Sequence, residues 1–443
     1  MNYTEKEVLQ YVRENDVKFV KLAFCDLYGN MLNISILSGE LPAAFRDGFA
    51  FAPRKVSGFS EITGEDLLLF PDPATLAVLP WRPQQGRVVR FFCDIRYYGG
   101  KRFEGDGRGI LADAMKRAQK KGYLFKIGTS CEFYVTKTDS EGHPLREPYD
   151  RAGYCSAAPE DKGENLRRDV CLTLEQMEMQ PVASRHESGP GQSEIDFRAS
   201  NAMNAADNFI TFRSVVKIVA ARGGVYATFM PKPFAGECGS GMHINITVLK
   251  DGASVFDTKP DGKNGVVLSD DAKNMVAGVL EHAAEMTVFL NPVTNSYQRL
   301  GEDLAPRYIS WSSGNYAQLV RVPVCAGEGH MILRSPDSAC NPYIAFALII
   351  HACMDGLEKK PTLCAPHEYD LENAPADSLR AMQPIPGSLA EAVKAARASA
   401  VLGQWMPERA VEAFCAIKEK TVADFKQAAD KDAFEAAKYF YSL

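Results

Sequence analysis

The chain has 443 residues, 46% of them hydrophobic and 24% charged, which is enough apolar material for one large domain with a smaller companion. A formal net charge of −6 gives no electrostatic pull toward nucleic acid or an anionic membrane, and the longest apolar run, Tyr343 to Met354, is short for a membrane span and interrupted by His351. Small-molecule chemistry is the class that remains.

The amino terminus lacks the basic-then-apolar order of a signal peptide and reads as a helix start, with Thr4 as cap and Glu7 reaching back. Eleven cysteines form no Cys-x-x-Cys pair and several sit inside apolar runs, the pattern of reduced thiols in the cytoplasm. Val17 to Ile36 then alternates around Tyr28-Gly29-Asn30 as a β-hairpin does. Leu67 to Phe70, Thr75 to Leu79 and Val88 to Asp94 read as further strands, punctuated by Pro71, Pro73 and Pro80. They run out at Gly99-Gly100, which places a domain boundary near residue 105: a β-rich module over 1–105 and a larger domain over 106–443.

Past that boundary Arg108 to Lys121 predicts an amphipathic helix closed by Gly122, and Leu124 to Thr136 a strand with Glu132 in its interior. Glu164 to Glu178 reads as a helix, Pro181 to Ser188 and Gln192 to Phe197 as paired strands, and Ser200 to Gly223 as a long helix. The last third is mainly helical: Asp270 to Leu290, Pro342 to Leu357, Leu389 to Ser399 and Glu408 to Tyr441. There is no internal repeat.

The stretch from Met230 to Thr247 joins a glycine turn to an alternating strand. Gly239 and Gly241 allow close approach of the backbone to a ligand, and His243, Asn245 and Thr247 share one face of the strand while Ile244 and Ile246 take the other. Three carboxylates sit where a lone buried charge is costly: Glu132, and Glu187 with Glu194, which the Gly189-Pro190-Gly191 turn brings onto neighbouring strands. Hard oxygen ligands without a cysteine favour magnesium or manganese over zinc; pairing with lysines and arginines is the alternative. Arg299, Arg321 and Arg334 supply planar cations that suit a carboxylate or phosphate, or else pair with the acidic trio. Asn341-Pro342 reads as a capped helix start.

Glu194-Ile-Asp-Phe-Arg198, Ala205-Ala-Asp-Asn208, Met230-Pro-Lys-Pro233, Gly239-Ser-Gly-Met-His243, Asn295-Ser-Tyr-Gln-Arg-Leu300, Arg334-Ser-Pro-Asp337 and Asn341-Pro-Tyr343 occur in one order along the chain. In that combination the sequence resembles the glutamine synthetase family in its bacterial type I form, over essentially its whole length. The resemblance implies an α+β protein with an N-terminal β-grasp domain, a C-terminal catalytic domain on a curved antiparallel sheet, and a homo-oligomer of two stacked hexameric rings, a dodecamer. It implies a ligase that uses ATP and Mg2+ or Mn2+ to make an acyl phosphate of glutamate, which ammonia or an amine then displaces. Carried over by position, Glu132, Glu187 and Glu194 match the first metal site. His243 matches the second site beside the nucleotide, with Thr247 further along the same strand assigned to nucleotide binding. Gly239, Arg299, Arg321 and Arg334 match substrate contacts, and Arg334 and Asp303 are the catalytic candidates.

The departures from the family pattern lie at the same place. Ser130 and Ile332 replace second-site carboxylates, and Tyr316 replaces a phosphate-contacting arginine. Ala52 replaces the latch aspartate that serves ammonium, Cys238 replaces an asparagine, and Leu304 stands in the glutamate flap with Asp303 and Glu302 as its nearest acids. These changes predict an amine larger than ammonia as nucleophile. Two alternatives stay open: a metal-dependent enzyme that has discarded ATP, and a structural or regulatory homologue without turnover.

Overall fold

The computed structural model describes residues 3–82, 84–257, 259–260, 266–325, 328–368, 379–380 and 382–443. Helix α1 (Glu5–Glu14) starts with the predicted capping box, Thr4 and Glu7 each serving the other's backbone. A six-stranded sheet follows, built from β1 (Val17–Cys25), β2 (Met31–Leu37), β3 (Phe49–Phe51), β4 (Leu67–Pro71), β5 (Ala77–Val78) and β6 (Arg87–Tyr97). Its order is β2-β1-β6-β4-β3 with β5 on β6; β1 and β6 run parallel and the other pairs are antiparallel. With α2 (Leu41–Asp47) this is the β-grasp domain. The strand expected from Thr75 shrinks to the two residues of β5, because Pro73 and the Asp72 side chain, which accepts from the Ala74 amide at 3.0 Å, wind Pro73–Thr75 into a 3-10 turn.

The second domain is organised on an eleven-stranded sheet of path β17-β18-β19-β13-β7-β10-β9. Its axis is β7 (Tyr123–Thr138), which also pairs β8 (Pro144–Pro148), β11 (Ser200–Asn201) and β12 (Tyr226–Thr228). The hairpin of β9 (Pro181–His186) and β10 (Gln192–Phe197) lies on one side of β7. On the other come β13 (Met242–Lys250) with β14 (Ala253–Ser254), then β19 (Met331–Leu333), β18 (Val320–Arg321) and β17 (Trp311–Ser312). A separate short pair, β15 (Lys259–Pro260) and β16 (Val266–Val267), stands apart.

Period-2 alternation divides this sheet into two faces. Ile127, Cys131 and Phe133 of β7, Met242, Ile244 and Ile246 of β13, Ile195 of β10 and Leu333 of β19 are buried on one of them. Helices α3 (Gly107–Lys120), α5 (Ala202–Arg222) and α6 (Asp270–Glu281) pack around α9 (Pro342–Lys359), which is buried from Pro342 to Gly356, while α4 (Glu164–Gln176) lies against α5 and β9. An all-round apolar helix of this kind belongs at the centre of a large core. The helix expected over 270–290 breaks at His282 into α6 and α7 (Ala283–Leu290), where the imidazole is held by Asp355 and Glu285. The short α8 (Ser296–Arg299) follows.

The helix expected over 408–441 also stops early, at Gln427. Asp430 caps a new helix at Lys431–Glu435, and the buried Glu435 carboxylate accepts from Asn295 at 2.9 Å and Gln298 at 2.5 Å. The turn that makes those bonds replaces continued helix.

Arg108 clamps the two domains together. At the start of α3 it bonds Asp207 of α5 at 3.1 and 3.2 Å and Asp72 of the β-grasp domain at 3.0 Å. The β1–β2 turn docks on the same region. Gly29 has φ +83°, and a side chain there would stand 2.7 Å from the Asn341 backbone, so glycine is required both by conformation and by space.

Candidate active site

The other face of the large sheet is polar, and the register puts its charged residues side by side. Glu132 of β7 lies opposite Glu194 of β10, which in turn lies opposite Arg185 of β9. Ser130 of β7 lies opposite His243 of β13, and Asn245 lies opposite Ile332, which lies opposite Arg321. Ligand atoms of Glu132, Glu194 and His243 all fall within 4.8 Å of one another. Glu187 stands beside this group on the β9–β10 hairpin, its amide donating to the Gln192 carbonyl at 2.9 Å.

Burial, then the neighbouring Glu194 carboxylate, pushes Glu132 up to about 7. Burial and the hydrogen bond that a protonated Glu187 donates to Glu194 push Glu187 up to about 9, and burial with Asp196 raises Glu194. His243 is held well below the usual imidazole range by burial and by the guanidinium groups of Arg334, Arg299 and Arg185. A neutral imidazole beside crowded carboxylates is a donor set that a divalent cation would relieve. Arg185 bonds Glu194 and Asp196 directly and approaches Glu187 at 3.9 Å. Sequence reasoning missed Arg185 and Asp196, although the signal was there: each lies two residues from one of the glutamates and therefore on the same face.

The hairpin is anchored from behind. Asp150 accepts from the Gly191 amide at 2.9 Å and the Lys162 amide at 3.0 Å, and meets His186 Nε2 at 2.9 Å. His186 Nδ1 lies 2.7 Å from the Glu187 carbonyl, so both ring nitrogens face acceptors. Asp150, Asp161 and His186 also form a compact set of metal-ligand types. Arg167 already bonds Asp161, and the amides and His186 occupy Asp150, so that set is an ion-pair network.

The arginines divide their work. Arg299 is buried, and its guanidinium donates to the carbonyls of Ser335 at 2.8 Å, Arg334 at 3.0 Å and Pro336 at 3.3 Å. It braces the backbone behind the site, and a side chain on Gly239 would meet its Cγ at 2.6 Å. Arg334 is spent differently: its Nε is buried without a hydrogen-bond partner, and burial with the adjacent Arg299 lowers it to about 10. Arg321 donates to the Ser313 carbonyl at 3.2 Å and lies 4.0 Å from the Tyr316 ring centre, with Arg334 at 5.5 Å from the same ring.

Gly239 accepts from Gln192 Nε2 at 3.2 Å, and the same Nε2 reaches Glu132 at 3.3 Å, tying the glycine turn to the carboxylates. Asp303 adopts the left-handed φ of +52° and hydrogen-bonds the Cys238 thiol, which burial and this carboxylate push up to about 11. Thr247 is buried at register with Lys126, four residues along β13 from His243. Ala52 is exposed in the β-grasp domain, just before the 3-10 turn Pro53–Lys55. Leu304 is exposed.

The donor set suits one magnesium or manganese ion, held by carboxylate oxygens with an imidazole nitrogen beside them. On the side of His243 away from Glu132, the register supplies the Ser130 hydroxyl, the Asn245 amide and the Ile332 side chain. No carboxylate stands at those positions, so these residues do not fit a second hard cation.

Comparison with known proteins bears on the whole chain. The family model of the glutamine synthetase catalytic domain matches residues 104–437, and that of its β-grasp domain matches residues 16–98. The glutamine synthetase of Methanosarcina mazei is 39% identical over 428 residues, covering 96% of this chain and 95% of its own. That of Thermus thermophilus is 37% identical over 434 residues, covering 96% and 97%. A solved GmaS–ADP complex superposes with a TM-score of 0.85 at 27% identity, covering 99% of both chains. The Plasmodium falciparum glutamine synthetase superposes at 0.87 and 19% identity, covering 98% of this chain and 99% of that one, a likeness of fold.

Proposed function

Because the chain belongs to the glutamine synthetase family, we propose that it is a carboxylate–amine ligase that joins glutamate or a related acid to an amine larger than ammonia through an acyl phosphate. One observation carries this reading. Glu132, Glu194 and His243 converge within 4.8 Å, and the buried, unpartnered Nε of Arg334 belongs to the same charged cluster. That pairs a cation site with an anion site. Glu132, Glu187 and Glu194 would hold Mg2+ or Mn2+, which supplies Lewis-acid stabilisation to a charged phosphoryl group; ATP would be the phosphoryl donor.

The chain's own residues do the positioning. Arg334 holds an acidic group, Arg299 fixes the backbone of Arg334 to Pro336, and the amide of Gly241 aims Glu132 at 2.9 Å. Neutral His243 offers a lone pair, and Asp303 stands at the flap as the acid nearest the incoming amine. The reading includes a homo-oligomer of stacked hexameric rings in the cytoplasm, where the eleven free cysteines stay reduced.

A second reading has its own support: Ser130 and Ile332 remove the carboxylates that a nucleotide-bound metal needs, which favours a metal-dependent enzyme acting on a small acid without ATP. Isothermal titration with Mn2+ and then ATP separates the two. The ligase predicts binding of both and release of ADP in a mixture of glutamate and amine. Metal binding without nucleotide binding supports the ATP-free enzyme. In that case Ser130→Glu with Ile332→Glu, which restores the two acids, is expected to create nucleotide binding. Loss of neither metal affinity nor activity in Glu187→Ala would remove Glu187 from the site.

A further inference from the structure

A cavity of about 570 Å³ opens beside the charged face, and Asp303, Leu304, Ala305, Tyr308, Tyr316 and Ala317 line it. One end is acidic. Asp303 touches the Cys238 thiol, next to the Gly239 turn that leads to Glu132, and among the described residues no lysine or arginine forms an ion pair with it. Its neighbour Glu302 is by contrast spent on Lys232.

Part of the wall is apolar and faces outward: Leu304 is 58% exposed and Tyr316 49% exposed. The Arg321 guanidinium stacks 4.0 Å from the Tyr316 ring centre, so the ring separates the cavity from the cationic floor of Arg321 and Arg334. The cavity's other acid, Glu368, is fully engaged, accepting from Ser312 and Ser313 hydroxyls and from the Ser313 and Gly314 amides at 2.6 to 2.9 Å. Arg307 is the remaining charged group in the lining. The lining therefore offers Asp303 without an ion-pair partner among the described residues, beside the aliphatic and aromatic surface of Leu304, Ala305, Tyr308 and Tyr316.

We propose that this cavity is the amine subsite and that it selects a primary monoamine with an apolar tail, its ammonium against Asp303 and its tail against Leu304, Ala305, Tyr308 and Tyr316. The inference rests on the ligase reading for the role of the amine. The recognition itself is a matter of charge and surface. A short amine leaves the apolar wall wet, and a diamine must desolvate its second ammonium against that wall, since the Glu368 carboxylate already accepts from four donors.

The test is isothermal titration of the full chain, preloaded with Mn2+ and glutamate, with n-hexylamine, methylamine and 1,6-diaminohexane. Hexylamine is expected to bind at least tenfold more tightly than either of the others. Leu304→Glu, at an exposed position that folding tolerates, is expected to erase that margin and shift preference to the diamine, and Asp303→Asn to weaken all three. Equal binding of the three amines, or an unchanged preference in Leu304→Glu, overturns the proposal. ADP release is measured separately: tight hexylamine binding without ADP release overturns the ligase and leaves the subsite standing.

Discussion

The amide of Gly241 donates to Oε2 of Glu132 at 2.9 Å, while the amide of Glu132 donates to the Gly241 carbonyl at 3.0 Å. This reciprocal pair fastens the glycine turn to the central strand and fixes one carboxylate of the site by backbone rather than by a mobile side chain. An ionised carboxylate gains most from such a donor when it is buried.

That pair leaves no room for a side chain. A Cβ on Gly241 would lie 2.4 Å from Arg299 Nη2 and 3.3 Å from His243 Nε2, and Arg299 cannot yield without releasing its backbone carbonyls. Gly241→Ala is expected to weaken Mn2+ binding at least tenfold in calorimetry and to cost about 1–3 kcal/mol of stability by overpacking. Gly403→Ala, at a helical glycine with nothing within 4 Å, is the control and should stabilise by about 0.5–1 kcal/mol. Undiminished Mn2+ affinity in Gly241→Ala would contradict this account.

The Arg108 clamp should dominate the coupling of the two domains. Its guanidinium is buried and bonded to Asp207 and Asp72, and Tyr343 donates to Asp207 at 2.6 Å, so Arg108→Ala strands a buried carboxylate. The expected cost is about 3–5 kcal/mol, and a partner change to Asp207→Asn in the same chain should recover part of it. Urea unfolding followed by tryptophan fluorescence reads both domains, since Trp81 lies in the first and Trp311 and Trp405 in the second. A cost below about 1 kcal/mol, the level of an exposed pair, would show that the clamp is idle.

His282 gives the fold a pH dependence with a definite sign. Burial disfavours its charge, yet Glu285 and Asp355, the latter at 2.7 Å, outweigh burial and raise it above the usual imidazole value of 6.5. The folded state therefore binds the proton more tightly than the unfolded chain. Its stabilising contribution is complete below about pH 6.5 and is lost as pH rises through the folded value. The melting temperature of the wild type minus that of His282→Gln should shrink between about pH 6 and about pH 9. A difference that grows with pH over that window would refute the assignment.

The carboxylates and the histidine stand out as candidates without a structure because local rules suffice to single them out. A strand of period two places His243, Asn245 and Thr247 on one face, and the glycine-rich turn between Glu187 and Glu194 can only reverse the chain. Helix limits were legible where a cap or a glycine marks them, as at Asn341 and Gly122. They were misread over 408–441, where the end of the helix depends on Glu435 reaching Asn295, a residue 140 positions away.

Sequence alone determined which residues carry charge, which of them alternate onto a common face, and the order of motifs that marks the family. Tertiary structure decided how those charges are spent. Arg299 turns to three backbone carbonyls, Arg185 takes Glu194 and Asp196, Arg321 stacks on Tyr316, and Arg334 keeps a buried nitrogen without a partner. The physical reason is that covalent spacing sets periodicity, whereas the choice among partners depends on distances between strands and helices far apart in the chain. In a buried site each ångström of such distance changes the electrostatic balance by more than local propensity can.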